Sequence, residues 1–116
     1  MTRSALKPFK NKRVMVTGRI QRVLFKNYLD RHSTFKPNVR ILLKDVFVSG
    51  VSIDHLWLYE TNKYYALAME LIHQRVKFSA NVVPYYKINR NNNLFVQDYG
   101  IKRKGRLITE EAYNQN

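Results

Sequence analysis

Hydrophobic and polar residues alternate along several stretches of this chain, the pattern of a β-strand with one buried face. In RVMVTGRIQRVLFK, which begins at Arg13, the residues Val14, Val16 and Ile20 share one parity, and mostly polar side chains occupy the other. Gly18 lies in the middle of this stretch, where it indicates a bulge or a sharp bend. We therefore predict a long, bent first strand.

Two further strands are predicted after a long polar loop, NYLDRHSTFKPN. The stretches VRILLKDVFV and VSIDHLWLYE are rich in β-branched and aromatic residues, and a turn signal, Ser49 and Gly50, separates them. Two such runs around a short connection that contains glycine predict a β-hairpin.

The hydrophobic period then changes to that of a helix. In TNKYYALAMELIHQ, apolar side chains recur at the spacing of one helical face, at Tyr64, Leu67, Ala68 and Leu71. Thr61 or Asn62 suits the N-cap position. We predict a helix of about three turns from Lys63 to Ile72.

The chain returns to strand periodicity in RVKFSANVVPYYK, where alternate residues are apolar: Val76, Phe78, Ala80 and Val82. Pro84 implies an edge position or a bulge, and we expect one of the adjacent Tyr85 and Tyr86 to face outward. The polar stretch NRNNN predicts a loop, and LFVQDYGIKRKGRLI predicts a last strand with a basic continuation. These elements form one domain over residues 13–108, between a flexible basic arm at 1–12 and a frayed tail at 109–116.

The third strand poses a question of orientation. Its two parities are Val51, Ile53, His55, Trp57, Tyr59 and Ser52, Asp54, Leu56, Leu58, Glu60, and neither is wholly apolar. We expect Leu56 and Leu58 to face inward, because amphipathic aromatic rings tolerate water better than leucine does. Asp54 argues for the opposite orientation, and a bulge near it would resolve the conflict.

Composition narrows the functional classes. The 116 residues include 21 Lys and Arg against 8 Asp and Glu, which gives a formal net charge of +13. A small domain this basic has the charge profile of a nucleic-acid-binding protein. The absence of cysteine excludes disulfides and thiolate metal sites. No apolar run is long enough to span a membrane, and we expect a cytoplasmic protein that does not act at membranes.

The order of three strands, a helix and two strands, together with the phrases VTGRI, ILLKDV, DHLWL and VKFSANVVPYYK, resembles the small OB-fold proteins. More specifically, the chain resembles short single-stranded nucleic-acid-binding-like proteins of bacteria and their phages or mobile elements, and the resemblance extends from Arg13 to Arg106. It implies a mainly β fold, a five-stranded OB-fold barrel with one short helix between strands three and four. Such proteins often carry glycine before strand four, where this chain has His73 and Gln74. An SH3-like barrel has no natural place for this helix, and a ferredoxin-like fold needs two helices.

The resemblance implies that nucleic acid binds across strands two and three, between clamps at 26–38 and 88–93. The first clamp would use Lys26, Tyr28, Arg31, His32, Phe35 and Lys36. From the resemblance and from the exposed basic and aromatic residue types, the full candidate set is Arg19, Arg22, Lys26, Arg40, Lys44, His55, Trp57, Tyr59, Tyr85, Lys87, Arg90, Lys102, Arg103 and Lys104.

Catalysis has little support in the sequence. Asp30 and Asp54 each lie close to a histidine, but no nucleophile or phosphate-binding loop accompanies them. We predict a non-catalytic protein without cofactor or metal that binds single-stranded DNA or RNA. The alternative is a basic interaction protein that docks on a nucleoprotein complex and modulates it. The sequence leaves open whether exposed strand edges pair two copies of the chain.

Overall fold

The computed structural model describes residues 4–27, 29, 32, 37–89 and 94–115, and six strands account for most of them. The strands are β1 (Arg13–Phe25), β2 (Val39–Val48), β3 (Val51–Glu60), β4 (Arg75–Asn89), β5 (Leu94–Arg103) and the short β6 (Ile108–Thr109). The helices are α1 (Tyr65–Glu70) and α2 (Glu110–Asn114), with 3-10 helices at Ser4–Phe9 and Asn62–Tyr64.

The strands form one antiparallel sheet in the order β3-β2-β1-β4-β5, and β6 pairs with β4. The first strand serves both halves of this sheet, because residues 16–25 pair with β2 and residues 13–19 pair with β4. The edge strands β3 and β5 lie close to each other. In the described part of the chain no ladder of backbone hydrogen bonds joins them, so the sheet is not a closed barrel. We call the gap between β3 and β5 the seam.

The hydrophobic core confirms the sequence prediction. All seven residues expected inside are at most 4% exposed: Val14, Val16, Ile20, Val76, Phe78, Ala80 and Val82. They belong to the two long central strands, where alternation is cleanest, and β2 and β3 complete the core from one side.

The inward face of the hairpin changes parity along its length. In β2 the buried positions change from Leu43 to Val46, and in β3 they change from Ile53 to Leu56. The change in β2 occurs at Asp45, whose φ is 52°. Asp45 lies opposite Asp54 of β3, near which the sequence predicts a bulge. Aspartate tolerates the left-handed region better than most residues do. The parity change therefore exposes both carboxylates and resolves the orientation conflict in β3.

The outward orientation of the two rings of β3 is confirmed. Leu56 is 1% exposed and Leu58 is fully buried, whereas Tyr59 is 47% exposed and Trp57 is half-buried.

The predicted helix lies between β3 and β4 but is shorter than expected. A 3-10 turn precedes α1, Ala68 is its buried residue, and the Tyr65 ring stacks on Phe25 with centroids 4.4 Å apart. After it, His73 adopts φ of 68° and donates its backbone N–H to the Ile20 carbonyl at 2.7 Å. His73 thus occupies a left-handed position that usually favours glycine.

Both terminal segments are more ordered than the sequence prediction. The sequence predicts a flexible arm over residues 1–12, whereas Ser4–Phe9 is helical and Leu6 is fully buried. The sequence predicts a frayed tail over residues 109–116, whereas α2 is capped by Thr109, whose Oγ1 accepts a hydrogen bond from the Ala112 N–H at 3.1 Å. An apolar anchor in one case and a cap in the other explain the difference.

Pro84 lies within β4, where Tyr99 of β5 is its paired neighbour. Beyond Val82, β4 pairs only with β5 among the described residues. This confirms the predicted edge position, because the missing N–H interrupts no second ladder.

Gly18 generates a stability prediction. A Cβ atom at this position would lie 3.2 Å from Val46 Cγ2 and 3.3 Å from Leu43 Cβ, both core residues of β2. Gly18→Ala should therefore overpack the core and lower the free energy of unfolding by about 1–3 kcal/mol. Urea denaturation would measure this change.

The control is the double variant Gly18→Ala with Val46→Ala, in which the Val46 methyl groups are gone. Its loss of stability should be smaller than the sum of the two single losses. Additive losses would show that crowding against Val46 is not the cause.

Candidate nucleic-acid interface

The outer face of β1, β2 and β3 brings many predicted site residues together. Residues opposite one another in an antiparallel ladder point to the same face. Three cross-strand rows result: Arg19, Lys44 and His55; Arg22, Leu42 and Trp57; and Leu24, Arg40 and Tyr59. Cations and aromatic rings thus alternate over this face, as the sequence predicts for a surface that contacts phosphates and bases.

Trp57 is covered on one side by a neighbouring cation. The Arg40 guanidinium carbon lies 4.4 Å from the centroid of the Trp57 ring, a cation–π contact. Arg40 Nε is buried and has no hydrogen-bond partner among the described atoms. One side of the Trp57 ring is therefore already occupied, and the side-chain surface available to a ligand lies toward the seam.

A groove occupies the seam between β3 and the β4–β5 pair. Its volume is about 320 Å³, and its lining is mainly apolar and aromatic: Leu56, Trp57, Tyr59, Val83, Tyr85, Gly100 and Ile101. Sequence reasoning placed the two rings of β3 and Tyr85 separately and did not predict that they share one groove. The seam alone brings them together, and it is a long-range feature without a local sequence signal.

Tyr85 is held in place by its neighbours. Its hydroxyl donates to the carboxylate of the fully buried Asp98 at 3.1 Å, and Asp98 also accepts the Tyr99 backbone N–H at 2.8 Å. A Cβ atom at Gly100 would lie 3.4 Å from the Tyr85 ring. The ring thus lies over bare backbone, which leaves the groove open at this point.

Both tyrosines of the adjacent pair are exposed, where the sequence predicts one. Tyr85 is 37% exposed and Tyr86 is 67% exposed. Here β4 extends beyond β1 and pairs only with β5 in the described chain, so both faces of this two-stranded ribbon contact solvent.

Carboxylates partly neutralise the charge of the cross-strand row formed by Arg19, Lys44 and His55. Arg19 Nη2 lies 3.1 Å from Asp45 Oδ2, Lys44 Nζ lies 4.0 Å from Asp54 Oδ2, and His55 Nδ1 lies 2.9 Å from the same oxygen. The hydrogen bond from His55, helped by the charge of Lys44, lowers the pKa of Asp54 below its ordinary value. The lowered pKa keeps the Asp54 carboxylate ionised beside the Lys44 ammonium.

Two further cations, one on the outer face of β1 and one just after the end of β1, have no described acidic partner. Arg22 and Lys26 are exposed and form no ion pair with any described carboxylate.

Arg103 requires a correction. The sequence predicts an exposed Arg103 that contacts nucleic acid, but its side chain is 10% exposed and forms a two-pronged ion pair with Glu60 at 2.5 and 3.0 Å. Its guanidinium also lies 4.5 Å from the centroid of the Tyr64 ring. Burial acts to lower the pKa of Arg103, but the Glu60 carboxylate and Tyr64 outweigh it and raise that pKa above its ordinary value. Arg103 is a structural residue that joins the ends of β3 and β5.

The remaining candidates fall elsewhere. Lys102 and Lys104 are exposed; Lys102 is paired with Asn81 of β4, and the Lys104 backbone N–H donates to the Ser79 carbonyl. Lys87 belongs to β4, but its side chain is outside the described part of the structure, as is the whole of Arg90. Of the first clamp, Lys26 and His32 are exposed, and Tyr28, Arg31, Phe35 and Lys36 lie outside the described residues.

The described residues include no group of three or more His, Asp or Glu side chains arranged to hold a metal ion. None of the described helices has the length and apolar character needed to cross a membrane. Comparison of the chain with family models, with curated proteins and with solved structures gives no match.

The buried ion pair generates a second stability prediction. Arg103→Ala should lower the free energy of unfolding by about 3–5 kcal/mol, because it leaves the Glu60 carboxylate buried without a partner. Lys104→Ala, a matched loss of an exposed cation one residue away, should change stability by less than about 0.5 kcal/mol. Thermal or urea denaturation measures both, and equal small effects would contradict a structural role for Arg103.

Proposed function

We propose that this protein binds single-stranded nucleic acid without catalysis, in the groove at the seam and across the adjoining cationic face. The observation that supports this most directly is the grouping of Trp57, Tyr59 and Tyr85 in one solvent-accessible groove. We further propose that the sheet is an OB-fold variant with an unpaired seam. The strand order β3-β2-β1-β4-β5 and the helix between β3 and β4 support that assignment.

The groove suits a nucleobase. Its volume is at the lower end of the range for small-ligand sites, about 300–1,000 Å³. Stacking of a base on an aromatic side chain contributes about 1–3 kcal/mol and depends little on base identity. Tyr59 and Tyr85 come from opposite sides of the seam, so a base that enters the groove contacts rings from both. Binding of this kind is tolerant of sequence.

The cationic rows beside the groove supply the phosphate contacts. Arg22, Lys26 and Lys44 flank the aromatic side chains on the outer face of the sheet or at its margin. Neutralising phosphates releases counterions, which makes the affinity depend strongly on salt. Arg40 has a second role in this proposal, since it packs on Trp57 and fixes the ring that borders the groove.

The alternative, a basic protein that docks on a nucleoprotein complex through shape and charge, does not require exposed rings. Here Tyr59 is 47% exposed and Tyr85 is 37% exposed, and both line the groove. This exposure favours direct base contact.

The stacking proposal predicts a loss of affinity from groove variants alone. Trp57→Ala and Tyr59→Ala should each weaken binding of a single-stranded oligonucleotide by about 1–3 kcal/mol. The matched control is Tyr86→Ala, which removes an exposed tyrosine next to Tyr85 but outside the groove lining. The affinity of this variant for the oligonucleotide should stay within about twofold of that of the parent protein.

Fluorescence anisotropy measures these affinities, and melting temperatures show whether each variant is folded. Trp57 is the only tryptophan, so quenching of its fluorescence on titration reports contact directly. A folded Trp57→Ala or Tyr59→Ala variant that binds normally would exclude stacking in the groove.

The charge proposal predicts a change in salt dependence. The slope of log K against log salt should flatten by about 0.7 for each phosphate contact removed from a single strand. We expect this change for Arg40→Ala and for Lys44→Ala. Lys63→Ala, a control on the 3-10 helix before α1, should leave the slope unchanged. Affinity that does not vary with salt would exclude nucleic acid as the partner.

A further inference from the structure

Two adjoining cavities lie along the chain segment that follows β5. The larger, about 530 Å³, lies between this segment and the helical residues Tyr64 and Leu67. The smaller, about 390 Å³, lies between the same segment, Ser79 of β4 and Tyr113 of α2. Three residues line both cavities: Gly105, Arg106 and Ile108. We call the two cavities together the β6 cleft, because β6 forms part of the wall that they share.

The wall between the two cavities is held in place by backbone hydrogen bonds. The N–H groups of Lys104 and Gly105 donate to the Ser79 carbonyl at 2.8 and 3.1 Å. The Gly105 carbonyl accepts a hydrogen bond from the Arg103 guanidinium. Ile108 then pairs with β4 in the short β4–β6 ladder. The cleft therefore has a preformed wall, and a ligand has little of it to order on binding.

One edge of β6 has no strand beside it in the described part of the chain. β6 pairs with β4, and β4 pairs with β1 on its other side. Apart from the β4–β6 ladder, the described backbone makes no hydrogen bond with Leu107 or Ile108, and both residues line the larger cavity. In β-strand addition, a peptide hydrogen-bonds to such a free edge and places its side chains in adjoining pockets. The edge and the cavities thus suit an extended peptide.

The β6 cleft carries positive charge without a partner. Lys104 and Arg106 line it, are exposed, and form no ion pair with a described carboxylate. Four glutamates of the neighbouring elements lie outside the lining of both cavities: Glu60, Glu70, Glu110 and Glu111. The first and third are paired with Arg103 and Arg75, and the other two are exposed to solvent. The cleft therefore attracts carboxylates from another molecule.

The lining of the cleft favours aliphatic side chains over nucleobases. The Arg103 guanidinium carbon lies 4.5 Å from the Tyr64 ring centroid, and Lys63 Nζ lies 5.3 Å from it. Lys77 Nζ lies 4.8 Å from the centroid of the Tyr113 ring. Cations thus already contact both rings of the cleft, whereas a stacked base needs an open ring face. The other apolar walls are aliphatic: Leu67, Leu107 and Ile108.

We propose that the β6 cleft binds an acidic segment of a partner protein that is rich in aliphatic residues and extended. The segment hydrogen-bonds to the free edge at Leu107 and Ile108, and its carboxylates lie beside Lys104 and Arg106. Side chains of an extended peptide alternate between two faces, which matches a wall with a cavity on each side. This interaction is separate from the groove at the seam and does not depend on nucleic-acid binding.

The test uses the full-length chain and a labelled peptide of about six residues, the length of an ordinary β-strand, in which aspartate and leucine alternate. Fluorescence anisotropy measures its affinity. A second peptide has serine in place of every leucine, and it should bind at least about tenfold more weakly, because burial of one leucine side chain accounts for that factor. A third has asparagine in place of every aspartate, and it should bind at least about threefold more weakly, because the ion pairs are lost.

The decisive variant is Lys104→Gln with Arg106→Gln. It should weaken binding of the aspartate–leucine peptide by at least about threefold and leave that of the asparagine peptide within about twofold. The matched control is Lys7→Gln with Lys12→Gln, which removes the same charge from two exposed lysines outside the cleft and should not change the peptide affinity. Melting temperatures show that each variant is folded.

Hydrogen exchange tests the strand addition itself. Binding of the aspartate–leucine peptide should slow exchange of at least one of the backbone amides of Leu107 and Ile108, because the free edge gains hydrogen-bond partners. Unchanged exchange at both amides in the saturated complex would exclude strand addition.

Each other result overturns the inference. A serine peptide that binds as tightly as the aspartate–leucine peptide would show attraction by charge alone. Equal losses in the two double variants would show a non-specific effect of net charge. Displacement of the peptide by a single-stranded oligonucleotide would make the cleft part of a nucleic-acid site, and a peptide that does not bind at all would contradict the proposal directly.

Discussion

The Glu60–Arg103 ion pair joins the two edge strands of the sheet, which no backbone ladder connects in the described part of the chain. Both side chains are about 10% exposed or less, and Tyr64 covers the guanidinium. In a buried pair of this kind, the cost of desolvating both charges offsets much of their attraction. The pair therefore positions the two strands more than it stabilises the fold. It fixes the ends of β3 and β5 together and leaves the preceding residues of both strands to line the groove.

A second constraint sets what that groove presents. The parity change at Asp45 lets the same hairpin bury Ile53 on one side of the irregularity and Leu56 on the other. Without it, the leucines and the rings of β3 would exchange faces. Gly18 of β1 packs closely under Val46 beside this point, so the strand that serves both halves of the sheet and the hairpin are fitted to each other.

The sequence predicts those parts of the fold that depend on local periodicity. The seven buried residues of β1 and β4, the hairpin and the position of the helix all follow from patterns within about fifteen residues. The outward orientation of Trp57 also follows, once leucine is ranked above an aromatic ring for burial. These features need no knowledge of distant contacts.

The sequence does not predict features that depend on contacts between distant residues. Arg103 lies in a basic run, so the sequence predicts one more exposed cation. Its ion pair with Glu60, 43 residues away, makes it a structural residue instead. The groove likewise combines β3 with β4 and β5, and nothing local signals that β3 and β5 meet unpaired. The local sequence contains only weak signals for the order of the two termini: the apolar residue Leu6 and the N-cap residue Thr109.

The unpaired seam has a consequence for how the groove moves. Local opening has a low free energy where few backbone hydrogen bonds must break. Since no described ladder crosses the seam, β3 and β5 can separate by giving up side-chain contacts alone, with the ion pair as the pivot. The groove can thus change its width while every strand keeps its register.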